Sequence, residues 1–148
     1  MLKENELNYI FQTTVSFVKH ILNANYVNFF EVNAFSSKLI LKASADWDQE
    51  LVGIKEINNV SNSIEGYNLA INESIVIINF KYDKDFHFNM QFKNEKFKNA
   101  ICVLIKVKDI PFGLLSVYFK ENKLNEDTKD FLLLISKMIS TKIEIKLI

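Results

Sequence analysis

Two apolar arms that turn back on each other constrain this chain most. Ala100 to Val107 reads Ala-Ile-Cys-Val-Leu-Ile-Lys-Val, and Pro111 to Phe119 reads Pro-Phe-Gly-Leu-Leu-Ser-Val-Tyr-Phe. The turn falls at Lys108-Asp109. A hairpin this apolar belongs in the middle of a sheet and needs other layers to cover it. Pro111 is tolerated because it begins its strand, where no interior ladder bond is lost.

The flanking segments supply those layers. Residues 5–23 predict an amphipathic helix, with Leu7, Ile10, Phe11, Val15, Val18, Ile21 and Leu22 on one stripe. Tyr9 and Phe17 lie off it, as partly exposed rings or as a second apolar face toward a partner helix. His20, beside Lys19, is expected in solvent. Residues 26–33 and Lys38 to Ala45 predict two paired strands around a turn at Ala34 to Ser37. Residues 46–63 are irregular and polar, with Trp47 near their start and a short strand or turn around Ile54 to Val60. Glu65 to Asn72 predict a short helix and Ser74 to Asn79 a buried strand. Residues 81–98 mix polar and aromatic residues and predict a loop with irregular helical turns. The last helix is expected over 125–146, capped by Asn125, with Glu126 and Asp127 favoured by the helix dipole. Phe131, Leu134, Ile135, Met138 and Ile139 are expected to face one way, with Leu132 and Leu133 widening that face. An antiparallel sheet with helices at both chain ends is an α+β arrangement.

Composition sets further limits. At 148 residues, 49% hydrophobic with 13 Phe, the chain is one domain with a substantial core. Three Gly and one Pro leave little material for a linker. The formal net charge is zero, so no basic field attracts nucleic acid or anionic lipid. All 18 basic residues are Lys, which removes bidentate guanidinium recognition of phosphate or carboxylate. The single cysteine, Cys102, rules out an intrachain disulfide and a cysteine-rich metal site, and suits a reducing, cytoplasmic location. No signal-peptide core is evident, and no apolar run approaches the ~20 residues of a membrane span.

The order of elements resembles a GAF domain, a small-molecule-sensing module of signalling proteins. Ile64-Glu65-Gly66, Leu69-Ala70 and Glu73-Ser74-Ile75-Val76-Ile77 resemble the family's helix leading into its third strand. Phe112-Gly113-Leu114-Leu115-Ser116-Val117 resembles its Gly-containing strand after the central hairpin. Leu124-Asn125-Glu126-Asp127 and Phe131-Leu132 resemble the run into its last helix. PAS and profilin-like domains share the broad architecture. The resemblance covers residues 8 to 145. It implies terminal helices on one face of the sheet and a cap on the other, formed here by residues 46–72 and 81–98. The pocket wall it implies is Trp47, Tyr67, Phe86, Phe88, Met90 and Phe92, unless these rings simply fill the space as core.

Specific chemistries known in that family find little support. Reduction of free methionine sulfoxide needs an attacking and a resolving thiol, and Cys102 stands alone. Bilin attachment is disfavoured because Cys102 falls in the central strand and the bilin-site motif is absent. Haem ligation through His87, between Phe86 and Phe88, is weighed against an ordinary loop histidine and disfavoured. Asn122-Lys123 and Asn125-Glu126-Asp127 echo a cyclic-nucleotide signature, but helix capping explains the same residues. Asp46, Asp48, Asp83 and Asp85 are most simply solvated loop acids. No catalytic set and no metal site is expected.

Two functions remain. One is a non-catalytic cytoplasmic regulatory sensor that binds a small molecule between sheet and cap and signals to a separate partner protein. The other is an interaction module whose pocket is filled and binds no ligand. The wide apolar faces of the terminal helices, together with the family's habit, predict a homodimer, with Phe17 and Leu133 as interface candidates.

Overall fold

The structure, a computed structural model, describes residues 3–33, 38–45, 52, 56–57, 63–83 and 96–146. Its element order is α1 (Glu4–Leu22), β1 (Tyr26–Val32), β2 (Leu39–Ala45), β3 (Glu56–Ile57), α2 (Ile64–Ile71), β4 (Ile75–Asn79), β5 (Asn99–Val107), β6 (Ile110–Phe119) and α3 (Glu126–Lys146). The six strands form one sheet in the order β3-β2-β1-β6-β5-β4. Every pairing is antiparallel. The expected short strand near Ile54 to Val60 is β3, paired to β2 through Leu39 and Ile40.

The hairpin of β5 and β6 lies inside the sheet, as its sequence requires. Lys108 and Asp109 both take positive φ (52° and 64°), and Val107 pairs directly with Ile110. Two consecutive positive φ angles match the right-handed twist of the flanking strands.

Helix ends follow local chemistry. Glu4 and Glu6 open α1, while Lys19 lies in its last turn, each sign suiting its end of the dipole. Asn23 turns left-handed (φ 50°), and the Ala24 N–H reaches back to the Lys19 carbonyl, which stops the helix. The Ser63 hydroxyl caps α2 by accepting from the Gly66 N–H at 2.9 Å. Asn125 caps α3 by accepting from the Thr128 N–H at 2.8 Å.

Two cores flank the sheet. On one face, α1 and α3 cover Val27, Phe29, Ile101, Val103, Leu115 and Val117. The Phe11 ring stacks on Phe29 at 4.2 Å with 12° between planes. That stack is seated on Gly113, where a Cβ would stand 2.6 Å from the Phe29 ring. On the other face, Ile64 of α2 shares a core with Phe30, Leu41, Val76, Cys102, Leu114 and Tyr118, and the helix packs on β4, β5 and β6.

Two helix faces differ from expectation. In α1, Ile10, Phe11, Val15 and Val18 are buried, but Ile21 is half exposed. In α3 the buried hydrophobic residues are Leu132, Ile135, Ile139 and Ile143, whereas Leu134 and Met138 face outward. The cause is polar. Ser136 and Ser140 donate to the Leu104 and Lys106 carbonyls of β5, and Glu144 accepts from the Lys108 N–H at 2.7 Å. Those residues recur every four positions, so one seam of α3 is hydrogen-bonded along β5 and sets the helix's rotation.

Candidate functional site

The face of the sheet beneath α2 is mostly apolar, but a line of polar side chains crosses it. Ser44 pairs with Asn28, Asn28 with Ser116, and Ser116 with Cys102, so the four stand side by side on β2, β1, β6 and β5. All four are fully buried. A bulge in β2 opposite Phe29 and Phe30 shifts the register, which brings Ser44 onto the same face as Leu41. The Ser44 hydroxyl donates to Asn28 Oδ1 at 2.7 Å. Among the described residues, Asn28 Nδ2 and Ser116 Oγ have no aligned hydrogen-bond partner.

α2 places a carboxyl over this line. Ile64, Glu65 and Asn68 form the inner side of the helix. Asn68 Nδ2 donates to the Glu73 carbonyl at 2.7 Å, while its Oδ1 has no partner. The Tyr118 hydroxyl, one alternation along β6 from Ser116, donates to Glu65 Oε2 at 2.5 Å. Phe97 closes that end, its ring 5.2 Å from Tyr118 and edge-on to Tyr26 at 5.5 Å.

Burial dominates the electrostatics. It raises the Glu65 pKa above the usual carboxylate value, and the Tyr118 bond, the backbone and the nearby Ser116 hydroxyl only partly offset this. Ser116 therefore lies near enough to favour the carboxylate, yet without the alignment of a formed hydrogen bond. Burial and then the Glu65 charge push the Cys102 thiol well up, so it stays protonated and a poor nucleophile. Burial, with Glu65 beside it, does the same to the Tyr118 hydroxyl.

The residues expected to wall the pocket fare differently. Tyr67 sits on the outer side of α2, 36% exposed. Trp47, Phe86, Phe88, Met90 and Phe92 lie outside the described residues, as does His87. The cap's aromatic contribution within the described residues is Phe97, and Val52 also packs against this core. Among the described residues, no cluster of His, Cys, Asp or Glu could hold a metal ion.

Asn28, Ser116, Glu65 and Tyr118 escaped the sequence reading. A signal was present: Ser116 interrupts the apolar run Phe112 to Phe119, and Asn28 interrupts Tyr26 to Phe30. In a sheet covered on both sides, such a polar residue has no solvent side to point to.

The outer surface of α1 and α3 is a second feature. Tyr9, Thr13, Phe17, Ile135, Met138 and Lys142 line a groove of about 230 Å³. Phe17 is 48% exposed, its ring 6.2 Å from Phe131. Leu133 is partly buried and packs against the core, whereas its neighbour Leu134 is exposed. Among the described residues, no helix is long and apolar enough to cross a membrane.

Comparison with known proteins accords with this architecture. The sequence profile of the GAF domain matches residues 6–143. No curated protein matches the chain. Among solved structures, the GAF domain of a phosphoenolpyruvate-protein phosphotransferase from Coxiella burnetii superposes with a TM-score of 0.81 at 14% identity, covering 93% of this chain and 82% of that one. The phycoerythrobilin-bound GAF domain of a cyanobacterial phytochrome gives 0.71 at 15% identity, covering 94% and 86%. Free methionine-R-sulfoxide reductase from Neisseria meningitidis, in complex with its substrate, gives 0.74 at 14% identity, covering 93% and 79%. At such identities the likeness concerns the fold. With a profile match over nearly its whole length and this sheet between two helical layers, the chain belongs to the GAF domain family, a family of small-molecule-binding regulatory and sensory domains.

Proposed function

We infer that this chain is a non-catalytic cytoplasmic signalling domain that binds a small molecule between the sheet and the α2 side of the cap. One observation carries the reading. Asn28 Nδ2 and Ser116 Oγ are buried in the middle of an apolar wall without aligned partners among the described residues, facing a helix that presents Glu65. Buried polar groups without partners are costly, and a ligand that completes their bonds gives them a purpose. An apolar wall with a few convergent polar groups is the usual make-up of a small-molecule site. The phycoerythrobilin-bound and substrate-bound structures of similar fold add weight to a ligand on this chain. Against catalysis stands the protonated, buried Cys102, the chain's single thiol. The signal would pass to a separate partner protein.

A thermal-shift screen of nucleotides, haem and common metabolites tests this. A compound that binds the native state raises Tm in proportion to the logarithm of its concentration. A screen with no shift counts against the reading.

The α1–α3 surface favours a second, compatible reading: a homodimer through the terminal helices. Tyr9, Phe17 and Met138 line that groove and are exposed, and the same two helices also expose Ile21, Leu134 and Ile145. Light scattering across a concentration series tests it, and a monomer throughout the micromolar range would exclude it.

A further inference from the structure

We propose that Asn28, Ser116 and Glu65 recognise one ligand class: a small uncharged ring that carries a carbonyl beside an N–H, the edge shared by lactams, cyclic ureas and nucleobases. This rests on the small-molecule reading above and narrows it.

The order of donors and acceptors leads to that edge. Asn28 Oδ1 is occupied by the Ser44 hydroxyl, which leaves Nδ2 as a donor with nothing to give to. Ser116 stands directly opposite on the neighbouring strand with an equally unused hydroxyl. Directly opposed residues hold their Cβ atoms about 4.5–5.5 Å apart, so one carbonyl oxygen with two lone pairs can accept from both. Near Ser116 lies the Glu65 carboxyl, which already accepts from Tyr118 and retains acceptor capacity. An N–H adjacent to the ligand carbonyl would meet it.

Charge narrows the class further. The buried polar and charged residues among those described include no Lys and no His, so an anion buried on this face would have no cation to balance it. A cationic amine is disfavoured too, since burial drives the Glu65 carboxyl toward its neutral form. The flanks are Phe30, Ala100, Leu104 and Leu114, apolar surface suited to a flat ring.

The test uses the full chain with uracil and hypoxanthine as probes. Caffeine (carbonyls without an adjacent N–H), benzoate (an anion) and benzylamine (a cation) are the controls. At about 5 mM, uracil or hypoxanthine should raise Tm by at least about 2 °C, and the controls should not. In Ser116→Ala the unliganded Tm should stay within about 1 °C of the parent, because the hydroxyl has no bond to lose, and the probe's shift should vanish. No shift with either probe, or an equal shift from a control, overturns the proposal. So does a clear drop in the unliganded Tm of Ser116→Ala, which would mean that an ordered water already completes the row. If the probes fail while another compound in the wider screen shifts Tm, only the assignment of this edge falls. If nothing in either panel shifts Tm, the small-molecule reading falls with it.

Discussion

The Tyr118 hydroxyl donates to Glu65 Oε2 at 2.5 Å, joining α2 to the centre of the sheet across 53 residues of chain. The bond is buried and holds a titratable carboxyl over the polar row. Its consequence is a pH dependence of stability. The folded pKa of Glu65 is raised above 4.5, chiefly by burial, so the native state holds the proton more tightly than the unfolded chain does. As pH rises from 4.5 toward the folded value, the unfolded chain loses the proton first, and stability falls across that window. Glu65→Gln removes the titration and keeps an acceptor for Tyr118. In urea denaturation from about pH 4 to 8, the difference between the two proteins should move in favour of the Gln variant as pH rises, then level off. A flat difference, or one moving toward the parent, would contradict a raised pKa.

Gly113 is predicted to tolerate no side chain. An added Cβ meets Phe29 Cζ at 2.6 Å and the Phe30 carbonyl oxygen at 3.0 Å, and Phe11 stacked behind Phe29 blocks its retreat. Gly113→Ala should destabilise by about 1–3 kcal/mol in denaturant unfolding. Combining it with Phe29→Leu should recover part of the cost, since the double change removes the colliding ring.

Several parts of this fold were legible from residues alone, for physical reasons. The β5–β6 hairpin declared itself through two apolar arms and one turn, and the α3 start through Asn125 followed by two acids. The rotation of α3 was not legible. It depends on bonds from Ser136, Ser140 and Glu144 to backbone atoms that only the folded sheet presents. The site was harder still. α2 is eight residues long, too short for its periodicity to show that Glu65 faces inward. Asn28 and Ser116 resemble the outward positions of an alternating strand, and only the strand register sets them side by side on the covered α2 face.

The two helix caps should separate by function. Ser63→Ala and Asn125→Ala each remove one cap hydrogen bond, at a cost of about 1 kcal/mol. Only Ser63 holds the helix that carries Glu65. Titrations of each variant should therefore show weaker ligand binding for Ser63→Ala and unchanged binding for Asn125→Ala. Equal binding losses would show that α2 does not form the site.

Charge on the α1–α3 surface should abolish dimerisation without unfolding the domain. Phe17 and Met138 are about half exposed, so Phe17→Glu and Met138→Glu should change stability by no more than about 0.5 kcal/mol. Light scattering should show monomers for both. Leu133→Glu is expected to behave differently, lowering stability outright, because Leu133 packs against the core. Dimers that persist in both Glu variants would place any interface elsewhere.

Native mass spectrometry of the freshly purified chain, beside its denatured mass, decides whether this face of the sheet carries a ligand. The native mass should exceed the denatured one by a small organic molecule, lost on denaturation, with lower occupancy in Glu65→Gln. A bare native mass, joined to a thermal-shift screen in which no compound moves Tm, would contradict a ligand-binding role for this face of the sheet.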